Sequence, residues 1–173
     1  MSRVIGIDPG LAALGWAVVE RDGSRLRLAA HGCIATTPAQ GSDLDRVELL
    51  ARGLREVLDS HRIDLAVTEA WRYYGGRSED SSKGKGAATT QAHTIGLVLG
   101  MVRTVCASAG VRHVEGERAQ GWRAALGLPR AASKAACQER VRVVLGLAKV
   151  IRPNHASDAA AVATVAAMRG GRV

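Results

Sequence analysis

The chain has 173 residues, 47% hydrophobic and 23% charged, which is enough for one globular domain that buries a core without disulfides or a structural metal. Its 24 Lys and Arg against 16 Asp and Glu give a net charge of +8, which favours a polyanionic partner such as nucleic acid. No run is long and apolar enough for a membrane span, and we expect no secretion signal. Cys33, Cys106 and Cys137 are scattered, so we expect buried thiols in the cytoplasm.

The N-terminal segment predicts two strands joined by a turn. An apolar run from Val4 ends in Asp8, Pro9-Gly10 interrupts it, and a second apolar run covers residues 15–19. Arg25 to Thr37 alternates loosely between polar and apolar residues and predicts a third antiparallel strand. Asp8 either opens a turn or is a carboxylate fixed at the sheet edge, with Gly10 leaving room for a phosphate. These residues alone leave both interpretations open.

The next segment predicts a helix, a strand and a loop. Ser42 and Asp45 form a potential capping box for an amphipathic helix that ends near residue 60. Residues 65–69 are a short apolar run that ends, like the first strand, in a carboxylate, here Glu69. Residues 71–90 are polar and rich in glycine, and we expect a mobile loop at about 75–89.

The C-terminal half predicts one more strand and four helices. The first helix includes residues 95–105, and its Gly96 and Gly100 lie on one face, where we expect them to let another helix approach closely. The remaining elements are a strand at 111–115, helices at 117–126 and after Ser133, and a last helix between Pro153 and Gly170. Together these elements predict an α/β fold with a five-stranded mixed sheet and helices on both faces.

Four residues of this predicted fold point to a metal site. Asp8 and Glu69 end strands that we expect to lie side by side, and the first turn of the last helix carries His155 and Asp158 on one face. Taken alone, that pair could be an ordinary feature of a helix N-terminus. Converging carboxylates repel one another unless cations lie between them, so we predict divalent metal binding. Paired Mg²⁺ ions of this kind cleave phosphodiesters.

Three segments carry a resemblance to a known family. Ile5-Gly6-Ile7-Asp8-Pro9-Gly10, the strand ending at Glu69, and Pro153-Asn154-His155-Ala156-Ser157-Asp158-Ala159 resemble the RuvC family of Holliday junction resolvases, which have a ribonuclease H-like fold. The likeness covers nearly the whole chain. It implies that Asp8, Glu69, His155 and Asp158 are catalytic ligands of two Mg²⁺ or Mn²⁺ ions, with His155 where the family commonly has Asp.

The resemblance also implies DNA contacts. Lys134 matches a basic catalytic position near the scissile phosphate, and Arg123 stands where the family usually has lysine. The family places a junction-wedging aromatic just past Glu69; we assign Trp71 to the core and predict that DNA contacts come from Arg72, Tyr73 and Tyr74, since no Phe is present. Three basic residues of the loop are predicted to bind phosphates and to order on binding: Arg77, Lys83 and Lys85.

The activity implied by the resemblance is symmetric nicking of two opposed strands of a four-way DNA junction. The family acts as a homodimer, uses a metal-activated water as nucleophile, and leaves ligatable 5′-phosphate and 3′-hydroxyl ends. It works with a branch-migration motor and the junction-binding subunit of that motor.

Three alternatives remain open from the sequence. An RNA nuclease of the same fold shares the Gly-Ile-Asp opening but is expected to lack the closing His/Asp helix pair. An actin-like sugar kinase or ATPase also opens this way, yet it needs a second phosphate loop and a longer chain. A noncatalytic junction-binding module could keep the fold and the positive charge, although the four-residue constellation argues against it.

Overall fold

The computed structural model describes residues 1–70, 85–116 and 118–170, with only the backbone of residues 85–91, 119 and 120. Within these ranges, five strands form one mixed sheet in the order β3-β2-β1-β4-β5. The strands are β1 (Ser2–Asp8), β2 (Ala13–Asp22), β3 (Arg25–Ala35), β4 (Leu65–Thr68) and β5 (Arg112–Glu115). The first three are antiparallel, whereas β4 runs parallel to both β1 and β5. The predicted mixed sheet is confirmed.

In the described part of the chain, five α-helices cover the two faces of this sheet: α1 (Asp43–Ser60), α2 (Lys85–Ser108), α3 (Ala119–Ala125), α4 (Lys134–Val144) and α5 (Asn154–Met168). The capping box of α1 is confirmed, because the Ser42 N–H donates to Asp45 Oδ2 at 2.7 Å and the Ser42 hydroxyl accepts from the Asp45 N–H. Among the described helices, none combines the length and apolar character that crossing a membrane requires.

The sheet separates two hydrophobic cores, because alternate strand residues point to opposite faces. Ile5, Ile7 and Val18 pack against α1 and α2, whereas Val4 and Val19 pack against α3, α4 and α5. Helices on both faces are therefore confirmed. Cys106 and Cys137 are buried free thiols, as predicted, whereas Cys33 is only half-buried.

Two glycines let α5 lie directly on the sheet. A Cβ at Gly6 would stand 2.1 Å from the Ala159 carbonyl oxygen, and one at Gly15 would stand 2.2 Å from the His155 carbonyl oxygen. Any larger residue at either position would push the helix away from β1 and β2. This close approach fixes the first turn of α5 against the end of β1.

The start of α2 differs from the sequence-based expectation, and three glycines need comment. Helix α2 begins at Lys85, so the last residues of the loop predicted at 75–89 are helical. Lysine and alanine favour a helix there, whereas apolar spacing marks only the part of the helix that packs on the core. No helix of the described chain lies against Gly96 or Gly100, because a Cβ at either would meet nothing within 4 Å, so the close approach of another helix there stays a prediction. A Cβ at Gly10 would stand 2.7 Å from the Ala13 carbonyl oxygen of its own turn, and Gly10 lines a cavity of about 500 Å³, so the room expected there for a phosphate stays a prediction.

Candidate active site

The two strand-end carboxylates lie at one edge of the sheet. Asp8 is the last residue of β1, and Glu69 follows the last residue of β4. Because β1 and β4 are parallel, with Ile7 paired to Thr68, their carboxyl ends lie side by side. Helix α5 packs mainly on β1 and β2 and brings its first turn to the same edge. The part of this edge that carries the predicted catalytic residues is hereafter called the catalytic corner: Asp8, Glu69, His155 and Asp158.

Asp8 and His155 are in direct contact in the catalytic corner. His155 Nδ1 lies 2.7 Å from Asp8 Oδ2, and because an ionised carboxylate only accepts hydrogen bonds, the imidazole donates through Nδ1. Burial raises the pKa of Asp8 above its usual range, and the charge of Asp158 adds to this, while His155 and Lys134 act in the opposite direction. The carboxylate charge of Asp8 is therefore only partly compensated, and an added cation would stabilise it.

Asp158 is held by a lysine of the neighbouring helix. Lys134 Nζ lies 2.8 Å from Asp158 Oδ2, with 53% of the lysine side chain and 30% of the aspartate side chain exposed. Lys134 is the first residue of α4, immediately after Ser133, whose hydroxyl caps the helix as predicted by accepting from the Ala136 N–H. The Lys134 ammonium therefore lies beside the carboxylates while the lysine side chain stays outside the core.

Glu69 has a partner that sequence reasoning missed. The indole N–H of Trp122 donates to Glu69 Oε2 at 3.2 Å, and Trp122 is 5% exposed. The only signal in the sequence was the tryptophan itself, because a buried indole N–H needs an acceptor. The guanidinium of Arg123 lies 5.3 Å from the centre of the Trp122 ring. Trp122 is therefore positioned to orient the carboxylate.

The donors of the catalytic corner suit a hard divalent cation, but they do not form a ready-made cage. Three carboxylates and one imidazole match the oxygen and nitrogen ligands of Mg²⁺ and Mn²⁺. Among the described residues, however, no three His, Cys, Asp or Glu side chains lie close enough together to hold an ion. The carboxylates are paired instead with His155, Lys134 and Trp122.

The predicted DNA-contacting residues fall into two groups. Lys134 lies in the catalytic corner, whereas Arg123 is half-buried and donates from Nη1 to the Arg130 carbonyl oxygen at 3.4 Å. Five others lie outside the described residues: Arg72, Tyr73, Tyr74, Arg77 and Lys83. Trp71, assigned to the core, also lies outside them, and only the backbone of Lys85 is described, at the start of α2.

A cavity of about 500 Å³ adjoins the catalytic corner. It is lined by the turn of residues 9–13, by Asp43 and Arg46 of α1, by Thr94 and Ile95 of α2, and by His155. Sequence reasoning did not single out Arg46, because an arginine in the first turns of an amphipathic helix is ordinarily a solvated residue. Its burial becomes visible only in the folded chain.

Comparison with known proteins shows which family the chain resembles. A family model described as crossover junction endodeoxyribonuclease RuvC matches residues 4–166. The chain is 38% identical over 161 residues to the crossover junction endodeoxyribonuclease RuvC of Chloroflexus aggregans, covering 93% of this chain and 90% of the relative. The corresponding protein of Rubrobacter xylanophilus is 34% identical, with 92% of this chain and 82% of the relative covered.

The fold also matches a solved structure. Thermus thermophilus RuvC in complex with a Holliday junction substrate superposes with a TM-score of 0.78 at 28% identity, covering 97% of this chain and 94% of the Thermus chain. The ribonuclease H-like arrangement and the match over nearly the entire sequence point to the same conclusion. The chain belongs to the RuvC family of crossover junction endodeoxyribonucleases.

Proposed function

We propose that this nuclease resolves four-way DNA junctions by nicking two opposed strands symmetrically, leaving 5′-phosphate and 3′-hydroxyl ends that a ligase can seal. The observation that carries the proposal is the catalytic corner, where Asp8, His155 and Asp158 lie beside Lys134 at the end of β1. The net charge of +8 supplies general affinity for a DNA backbone. The Thermus relative was solved with a junction substrate, which supports the same substrate here.

We infer that Asp8, Glu69, His155 and Asp158 hold two divalent ions, Mg²⁺ or Mn²⁺. When bound, such ions lower the pKa of a water and stabilise the oxygen that leaves the phosphorus. The raised pKa of Asp8 supports this assignment, because burial and the neighbouring charge of Asp158 leave the corner short of positive charge. The donor set, three carboxylates and one imidazole, is that of a hard-cation site.

The side chains of the corner have distinct roles in this proposal. His155 orients Asp8 through Nδ1, which leaves Nε2 to contact a metal or a water. Trp122 fixes one oxygen of Glu69 in the same way. Asp158 holds the ammonium of Lys134 next to the reacting groups. When DNA binds, this positive charge stabilises the negative charge on the scissile phosphate.

A homodimer accounts for paired nicking, because the chain contributes one catalytic corner and two strands must be cut. The outer face of α2 supports such a contact. Gly96 and Gly100 are exposed there, and a Cβ at either position would meet nothing within 4 Å in the described part of the chain. We therefore propose that this face packs against a second copy.

The remaining features of the proposal rest on the family assignment alone. We propose that the enzyme acts in the cytoplasm, together with a branch-migration motor and the junction-binding subunit of that motor. We also propose that Arg72, Tyr73 and Tyr74 contact the opened crossover and that Arg77, Lys83 and Lys85 contact phosphates. Arg123 is proposed to contact DNA from the edge of α3, although its guanidinium is engaged with Trp122 and Arg130 in the free protein.

A labelled mobile four-way junction, incubated with the protein and Mg²⁺ or Mn²⁺, tests the proposal. We expect paired nicks at symmetric positions on opposed strands and products that a ligase reseals. A linear duplex of the same sequence and an RNA hairpin serve as matched substrates. Preferential cleavage of the RNA would favour the related RNA nuclease, and selective junction binding without nicking would favour a noncatalytic module.

A further inference from the structure

The cavity beside the catalytic corner has no role in the function proposed above. It lies between the turn that follows Asp8, the first turns of α1 and the N-terminal half of α2, and His155 forms part of its wall. Because His155 also contacts Asp8, the cavity and the catalytic corner are continuous. A DNA strand with its scissile phosphate in the catalytic corner can therefore place a neighbouring phosphate over this cavity.

The cavity wall contains a buried guanidinium. Arg46 is only 9% exposed, yet it receives few acceptors: Nε donates to the Thr36 hydroxyl at 3.1 Å and Nη1 donates to Asp43 Oδ1 at 3.3 Å. Nη2 makes no hydrogen bond to any described residue, and Asp43 is 49% exposed, so this ion pair is hydrated and weak. Nη2 is not among the fully buried unpaired atoms of the described residues, so it is open to the cavity, where a further acceptor would stabilise the guanidinium charge.

Arg46 is also connected to the turn that follows the catalytic aspartate. The Thr36 hydroxyl, which accepts from Arg46, donates to the Leu11 carbonyl oxygen at 2.5 Å. The Thr36 N–H donates to the Ala12 carbonyl oxygen at 2.9 Å. An anion held by Arg46 would therefore lie against the segment that fixes Asp8.

We infer that Arg46 binds a backbone phosphate of the cleaved strand, next to the scissile phosphate, within this cavity. The planar guanidinium matches two phosphate oxygens, and such a contact positions the strand without reading its sequence. Asp43 competes for the same guanidinium and limits the affinity. This inference rests on the proposed DNA function, since it assigns a subsite to that substrate.

Single methylphosphonate linkages, which remove one backbone charge at a time, test the inference. A four-way junction carrying one such linkage at each position around the nick is bound by the full chain in EDTA, so that no cleavage occurs. In the wild type we expect a methylphosphonate at one position other than the scissile one to weaken junction binding about tenfold, which is the effect of losing one charge-assisted contact. Arg46→Gln should bind the unmodified junction about tenfold more weakly and should no longer respond to that linkage.

Two further variants control for charge and shape. Arg52→Gln removes the same charge from an exposed residue of α1 that pairs with Glu48, and it should keep the complete linkage profile of the wild type. Arg46→Lys keeps the charge but loses the planar fork, and its response to the linkage should fall between those of wild type and Arg46→Gln. An unchanged profile in a folded Arg46→Gln variant would overturn the inference.

Asp43→Asn tests the inference even where Arg46→Gln does not fold. Without its competing carboxylate, Arg46 should hold the phosphate more tightly, so the same linkage should become more damaging than in the wild type. A profile identical to wild type in Asp43→Asn would count against a phosphate in the cavity. If the wild type does not prefer the junction over linear duplex, the proposed function is refuted. If the wild type nicks normally but no methylphosphonate position loses its effect in Arg46→Gln, only this subsite is refuted.

Discussion

Replacing Trp122 with phenylalanine tests whether the indole N–H positions Glu69 for catalysis. The substitution keeps an aromatic ring in the core but removes the donor that contacts Glu69 Oε2 at 3.2 Å. Hydrogen bonds to charged groups contribute about 1.5–3 kcal/mol, and the length of this one places it near the lower end. A loss of about 1.4 kcal/mol from the transition state corresponds to about a tenfold slower nicking rate.

The substitution also has a cost in stability that must be separated from its effect on the rate. Trp122 is 5% exposed and lies in the core between the sheet and α5, so the smaller ring leaves a void and should lower stability by about 1–3 kcal/mol. Single-turnover nicking of a labelled junction, junction affinity in EDTA and thermal melting measure the three quantities independently. We expect slower nicking and a higher metal requirement with unchanged junction affinity.

The matched control is Trp16→Phe, which makes the same chemical change at a half-buried tryptophan whose ring packs against His61. This variant should lose stability without a specific loss in nicking rate. Equal nicking rates for Trp122→Phe and wild type, or equal losses in both variants, would refute a positioning role for the indole.

Three other outcomes follow from the structure. Asp8→Asn should abolish nicking, by about a thousandfold or more, while junction binding persists. Because folding raises the pKa of Asp8, its ionised form destabilises the native state, so this variant should melt higher than wild type at pH 7 and the gain should vanish as acid protonates Asp8; a constant gain at all pH values would contradict the assigned shift. Mn²⁺ should support nicking at least as well as Mg²⁺ because of the imidazole ligand, and His155→Asp should remove this preference. The same ratio of nicking rates with Mn²⁺ and Mg²⁺ in wild type and His155→Asp would exclude His155 as a ligand. Gly15→Ala should destabilise the fold by about 3 kcal/mol or more through the clash with the His155 carbonyl. In Gly96→Ala the added Cβ meets nothing within 4 Å in the described chain, so this variant should not destabilise the monomer; melting curves of the two variants at low protein concentration check the contrast.

Much of the fold could be predicted because it depends on local patterns. The apolar runs ending in Asp8 and Glu69, the capping box at Ser42 and the Ser133 cap each specify an element through neighbours a few residues away. The start of α2 was harder to predict, because apolar spacing marks the packed face of a helix and not its full length. The outward position of Gly96 likewise depends on which face of α2 meets the sheet.

The sequence by itself determined the chemistry available to this protein: the carboxylates that end two parallel strands, the His/Asp pair in the first turn of α5 and the excess of basic residues. Only the tertiary structure decided which partner each of these charged side chains contacts. It paired Asp8 with His155, Asp158 with Lys134 and Glu69 with Trp122, and it buried Arg46 at the wall of a cavity. The physical reason is that partners from different elements are selected by the packing of α5 on Gly6 and Gly15 and of the other helices around it, a constraint that no local pattern contains.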